Sequence, residues 1–186
     1  MRRLPIYLIM FWMSLELARC QGRNHFKENL CPWQLQLTAA KAAIRRSDMS
    51  PDYLRIVDFG HPKGRGMVAN TNIGRGDYVT YYHGIRDVME PDVADNTYTF
   101  HIAYRNTRFW VDGSEEDGSY ARLINDEWRH PNLRSRMMFV DGEPHVSYFA
   151  LRQILEGEEI HYDYGGSEEF LPWRKLENRS YIPLSP

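Results

Sequence analysis

Apolar positions change their spacing along the chain, and the changes mark out its parts. From residue 4 to residue 15 they run almost unbroken, behind two arginines, in MRRLPIYLIMFWMSLELARC. Residues 33–46, WQLQLTAAKAAIRR, are rich in helix formers and predict one helix. The polar stretch from Ser47 to Pro51 ends it. Beyond residue 52 the texture becomes short runs of β-branched and aromatic residues: YLRIVDF, GMVA, DYVTYYHG, TYTFHIAY, TRFWVD, MMFV and HVSYFALR. Glycine, proline and Asp/Asn clusters separate these runs, as strands require. FVDGEPHV predicts a hairpin turning at Asp141-Gly142, and YRNTRF predicts a second. The polar segment IRDVMEPDVAD, residues 85–95, has room for one helical turn. No internal repeat and no low-complexity linker interrupts the pattern. The expectation is one mostly β domain (β+α) over 52–165, a helical lead-in over 33–51, an apolar extension over 1–32 and a tail over 166–186.

The extension supports two readings. Its layout is close to a secretory signal or anchor, and too short for a comfortable membrane span. Glu16 and the bulky Leu17 fit a cleavage site poorly, which leaves an amphipathic extension as the other reading. Composition narrows the chemistry further. The 186 residues carry 23 Lys+Arg against 25 Asp+Glu, a net charge of −2, so no global basic field points to nucleic acid. The two cysteines, Cys20 and Cys31, precede the β domain and are too few for a structural zinc cluster or a disulfide framework. One bridge between them would staple only the extension.

Four stretches carry candidate chemistry. In KGRGMVA, Gly64 and Gly66 let backbone approach a ligand closely, with Lys63 and Arg65 beside them for an anionic group. Taken alone, this G-x-G is equally a β-turn. In ARLINDEWRHPN, Arg122 and Asn125 are polar residues set beside Leu123 and Ile124. Such groups need hydrogen bonds, from a structural network or from a ligand. In GEEIHYDYGG, Tyr162 and Tyr164 lie two apart and face the same way if the strand runs through both, with Tyr82 and Tyr98 as further phenols. Buried tyrosines are common core residues, so an aromatic core patch competes with a pair of hydroxyls aimed at a substrate. Trp173, in FLPWRK, can fold back as a plug or close over a ligand. The acidic stretches GSEEDG and EGEE are solvated surface or a face for a basic tail.

The order of these motifs resembles a SET domain. KGRG, then YHG, then RLIN, then VDG-PH before an apolar strand, then GEE, YDYG and PW follow one another as in that family of protein lysine methyltransferases. Within it, the pattern is most similar to the branch that monomethylates a lysine in the tail of the fourth core histone on nucleosomes. The resemblance implies a fold of small curved sheets with a knot-like C-terminal crossing. It implies S-adenosylmethionine as cofactor, a monomeric chain without zinc, and no sequence-specific contact with nucleic acid. A histone tail or nucleosome would be the partner, which places the protein on chromatin in the nucleus.

Carried over residue by residue, Lys63, Gly64, Arg65 and Gly66 would cradle the cofactor's methionine part. Tyr98 would contact the cofactor, Arg122, Asn125 and Asp126 would lie under it, and Trp173 would cover the adenine side. Tyr164 would be the central catalytic phenol, Tyr162 the residue that limits the product, and Tyr82 a wall of the lysine channel. Phenols suit the task because the target amine must be neutral, against an ordinary lysine pKa of about 10.4. A neutral hydroxyl orients an amine without adding negative charge that would hold the proton on it. Four positions depart from the family. Asp126 stands where histidine is usual, Glu127 where a small residue such as serine is usual, Gly166 for an aspartate, and Tyr81 for an acidic residue beside the channel. The Asp126 carboxylate has the cofactor, Arg122 or Arg129 as possible partners, the arginines in a surface pair. A SET-type module that binds peptide or cofactor without turnover is the alternative to an enzyme.

Overall fold

The computed structural model describes residues 31–61, 63–87, 98–104, 106–165, Leu171 and Arg174. The helix α1, Pro32–Arg45, begins with proline in its first turn, where the missing N–H leaves no bond unmade. The Cys31 N–H donates to Gln34 Oε1 at 2.9 Å and closes that end. Trp33, Leu37, Ala40 and Ile44 recur at helical spacing and form one apolar stripe. The stripe covers Tyr81, Met138, Val140 and Phe149 in a small outer core. Gln36 holds the helix in register, donating to Asp77 Oδ1 at 2.9 Å and accepting from the Tyr78 N–H at 2.8 Å.

Among the described residues, ten strands follow, in three sheets. Strands β1 (Leu54–Asp58) and β2 (Arg65–Ala69) form an antiparallel pair. Strands β4 (Ile85–Asp87), β6 (Thr107–Asp112) and β5 (Thr99–Tyr104) form the second sheet, in that order. The third holds β3 (Tyr78–Tyr82), β9 (Glu143–Ala150), β8 (Leu133–Val140), β10 (His161–Tyr162) and β7 (Asn125–Asp126). Both predicted hairpins form. Val140 pairs with Glu143, leaving Asp141 and Gly142 at φ of 51° and 90°, the left-handed pair that a two-residue hairpin turn requires. Tyr104 pairs with Thr107 in the second. The helical turn expected in 85–95 is not what its first residues form. Ile85–Asp87 is strand β4, drawn into extended backbone by its pairing with β6, and residues 88–97 lie outside the described residues, as do residues 1–30.

The last of the described strands does not add to a sheet edge. β10 inserts between β7 and β8, parallel to both, with Tyr162 opposite Asp126 on one side and Leu133 on the other. Residues 127–132, which join β7 to β8, therefore cross over the inserted strand. This is the knot-like crossing. Asn132, fully buried, staples it: its amide donates to Glu159 O at 2.8 Å, and its Oδ1 accepts from the His161 N–H at 2.7 Å. The main core lies beneath the three sheets. It contains Leu54, Met67, Val79, Val111, Ile124, Leu133, Val146, Ile154 and Ile160 together with Tyr82, Tyr148 and Tyr162.

Candidate active site

Four tyrosines meet where β3, β9 and β10 converge. The Tyr148 and Tyr162 rings lie 4.8 Å apart, and the Tyr162 and Tyr164 rings 4.7 Å apart. Phe100 joins them, stacked on Tyr162 at 6.3 Å and tilted against Tyr82 at 5.5 Å. The strand runs only through His161–Tyr162, shorter than the expected stretch through both phenols. Tyr164 still reaches Tyr162 because its N–H donates to Asp126 Oδ1 at 3.0 Å and its hydroxyl to Ile124 O at 2.7 Å. The Tyr82 hydroxyl donates to Tyr98 O at 2.6 Å. Tyr148 has no partner for its buried hydroxyl within hydrogen-bonding distance among the described residues. The Tyr162 phenol is near enough for each to influence the other. Burial raises all four phenols above their ordinary value, so each stays neutral at physiological pH.

Tyr81, expected beside the channel, faces the other way. Successive side chains alternate along β3, so Tyr82 enters the phenol cluster and Tyr81, 2% exposed, packs under α1.

The glycine motif adjoins this cluster, and its two glycines have different reasons. Gly64 has φ +73° in the turn between β1 and β2, with open space where a Cβ would be. Gly66 has no such room: a Cβ would meet Asn125 Nδ2 at 2.6 Å, and Glu159 Oε1 and Phe59 Cε2 at 2.8 Å each. Asn125 donates to Arg65 O at 3.2 Å and to Glu159 Oε1 at 2.9 Å. Glu159 is the hub, since its Oε2 also takes Lys63 Nζ at 2.6 Å and lies 3.3 Å from His161 Nε2. Arg65 pairs with Glu116, which also lies 3.4 Å from Arg122 Nη1. Arg122 is buried, donating to Gly113 O at 2.6 Å and Ser114 O at 3.2 Å, with its guanidinium 4.1 Å from the centre of the Tyr98 ring. Lys63, Gly64, Arg65, Gly66, Tyr98, Arg122 and Asn125 are thus one neighbourhood. Trp173 lies outside the described residues.

The sequence that defines the SET domain matches residues 64–165, more than half of the chain. The chain belongs to the SET-domain family. Histone-lysine N-methyltransferase set-1 of Caenorhabditis elegans is 33% identical over 138 residues, which cover 68% of this chain and 57% of that protein. N-lysine methyltransferase KMT5A-B of Xenopus laevis is 34% identical over 129 residues, covering 61% of this chain and 38% of its own length. The chain therefore spans less than two thirds of the length of these curated relatives. In fold it is similar to the crystal structure of CpSET8 from Cryptosporidium, with a TM-score of 0.61 at 21% identity over 77% of this chain and 70% of that one.

Two departures of this SET domain from the family pattern have local structural partners. Asp126 was expected to face the cofactor, Arg122 or Arg129. Its partner is Arg174, which donates from Nε to Oδ2 at 2.7 Å and from Nη2 to Oδ1 at 2.6 Å. The pair is buried, with side chains 4% and 6% exposed, rather than on the surface. Arg174 Nη2 also meets Asp163 Oδ1 at 2.7 Å. Arg122 is already held by two carbonyls, and the Arg129 guanidinium lies 4.7 Å over the Trp128 ring. Glu127 has a structural use: its Oε1 accepts the Arg129 and His130 N–H groups at 2.7 and 3.1 Å, closing the crossing loop. Gly166 lies outside the described residues.

The acidic stretches are likewise paired within the chain, Glu116 and Glu159 as above, Asp117 with His83 at 2.6 Å and Glu158 with Arg152 at 2.5 Å. Sequence reasoning missed Tyr148, Glu159 and Arg174. The signal for Arg174 was Asp126 itself, because a carboxylate in an apolar segment needs a cation. The signal for Tyr148 was a phenol in HVSYFALR, a run otherwise suited to a buried strand.

Proposed function

We propose that this SET domain is an S-adenosylmethionine-dependent protein lysine N-methyltransferase that places one methyl group on a lysine of a histone tail. The observation that carries the reading is the buried cluster of neutral phenols joined to the glycine-motif neighbourhood through Ile124, Asn125 and Asp126. Ile124 O accepts from Tyr164, Asn125 braces Gly66, and Asp126 holds the Tyr164 N–H, so three consecutive residues tie the two halves together.

The donor set suits the cofactor. Lys63 and Arg65 offer cations to an α-carboxylate, while Glu116, Glu159 and backbone carbonyls offer acceptors to an α-ammonium group. The Arg65 pairing with Glu116 is exposed, and exposed pairs exchange readily. Bound there, S-adenosylmethionine would supply an electrophilic methyl group on a sulfonium. The residues of the chain would do the rest. Tyr82, Phe100 and Tyr162 wall a channel from which water is excluded, and burial of the incoming lysine favours its neutral form. Tyr164, anchored at both its N–H and its hydroxyl, fixes the direction of the amine lone pair. Alignment of this kind is worth up to ~7–11 kcal/mol in well-oriented reactions. Tyr162 limits the product to one methyl. Partner and place follow from the same reading: a nucleosomal histone tail, in the nucleus, with the domain acting as a monomer.

The test uses the full chain. Calorimetry with S-adenosylmethionine is expected to show binding, and labelled methyl transfer to nucleosomes, free histones and lysine peptides to give monomethyl-lysine. Tyr164→Phe is expected to bind cofactor but turn over on the order of 10²-fold more slowly or worse. Cofactor binding without transfer to any substrate would favour the non-catalytic module instead. No binding at millimolar cofactor would sink the enzyme reading and leave only a module that binds peptide.

A further inference from the structure

We propose that Tyr148 is a specificity-determining residue of this site, its hydroxyl forming, with Tyr162, the polar end of the lysine channel that admits one methyl and resists a second. The inference rests on the methyltransferase reading above. Tyr148 sits at the centre of β9, between β3 and β8, opposite Thr80 on one side and Ser135 on the other. Its side chain is 0% exposed and shares the main core with Val146 and Ala150, two residues before and after it. A central strand position of this kind is filled at least cost by an apolar side chain. Phenylalanine would supply the same ring volume without a hydroxyl to satisfy.

The hydroxyl is nevertheless there, and it makes no hydrogen bond of good geometry among the described residues. Its neighbours differ. Tyr82 and Tyr164 donate to the Tyr98 and Ile124 carbonyls. A buried unpartnered polar group is uncommon enough to need a reason. Tyr148 lies against Tyr162, whose other face meets Tyr164. The unpartnered hydroxyl is thus one ring away from the phenol assigned to orient the amine.

A neutral phenol in that place can accept an amine N–H, directly or through one water, without adding charge. Each methyl on the lysine nitrogen replaces an N–H with a larger group that cannot donate. A second transfer would press an apolar methyl against a hydroxyl that has no well-formed hydrogen bond among the described residues, and both would lose contacts. A monomethylated product is therefore released rather than methylated again.

The experiment uses the full chain with Tyr148→Phe, and reads ligand-free melting and the products made with saturating cofactor. Tyr148→Phe is expected to melt at the native temperature or above it, because an unpartnered hydroxyl contributes no bond. Mass spectrometry is expected to show the ratio of dimethyl- to monomethyl-lysine rising tenfold or more. A melting temperature several degrees lower would mean that the hydroxyl is part of a structural network, and the proposal falls. An unchanged product ratio from an active variant overturns the role of Tyr148 and leaves the enzyme reading intact. A native chain that transfers no methyl to any lysine substrate overturns the enzyme reading, and the proposal with it.

Discussion

Removing the guanidinium of Arg174 should be among the most damaging single changes outside the hydrophobic core. Arg174 makes three hydrogen bonds to carboxylates, at 2.7, 2.6 and 2.7 Å, two to Asp126 and one to Asp163. Asp163 is half-exposed and can return to water, but Asp126 is 4% exposed and cannot. Taking one partner from a buried pair leaves an uncompensated charge and costs ~3–5 kcal/mol. For a domain of this size each kcal/mol moves the midpoint by about 2–4 °C, so Arg174→Leu should lower Tm by about 6–20 °C. The site is affected as well, because Asp126 also holds the Tyr164 N–H.

Asp126→Leu should be similarly damaging, and the double variant less so than the sum of the two. Thermal and urea melts of the four chains in the cycle give the coupling, expected above about 2 kcal/mol. A coupling inside the ~0–1 kcal/mol range of exposed pairs would show that the charges are solvated and the reasoning wrong. Histidine is the usual family residue at position 126, and the motif alone suggests that restoring it raises turnover. The structure reverses that expectation: an imidazole cannot accept both guanidinium bonds, so Asp126→His should lose stability and rate together.

Gly66→Ala should cost ~1–3 kcal/mol by urea melt, since its Cβ lies within 2.8 Å of three side-chain atoms. It should also weaken cofactor binding by calorimetry, and a native melt would refute the close packing. Gly64→Ala meets open space, and its expected cost is only the ~1–2 kcal/mol of a left-handed backbone. His145 supplies a pH dependence. Burial first, then Arg86, whose Nη1 is 3.4 Å away, lowers its pKa from 6.5 to about 4. The unfolded chain then binds the proton that the folded chain refuses, so stability is full above pH 6.5 and falls as pH drops toward 4, by up to about 3 kcal/mol. His145→Gln should flatten Tm against pH in that window, and an unaltered slope would assign it elsewhere. Tyr162→Phe should yield dimethyl-lysine from a peptide that the native chain monomethylates; a product mixture like the native one would remove Tyr162 from the channel's limit.

What was legible in the sequence is what neighbouring residues decide among themselves. Helical spacing in 33–46 marks α1 to within a residue, and alternating aromatic and β-branched runs mark the strands, because those periods are properties of a few consecutive side chains. Asp141-Gly142 names its own turn, since few residues accept positive φ. The ordered motifs were enough to indicate the SET domain and the residues around its glycine motif. The inserted position of β10, the outward fate of Tyr81 and the choice of Arg174 over Arg122 or Arg129 were not legible. Asp126 and Arg174 are 48 residues apart, Lys63 and Glu159 are 96 apart, and no local pattern favours one distant cation over another. The tertiary structure alone decides such pairs, because desolvation penalises every charge that the packing encloses and leaves only those partners that the same packing brings within bonding distance.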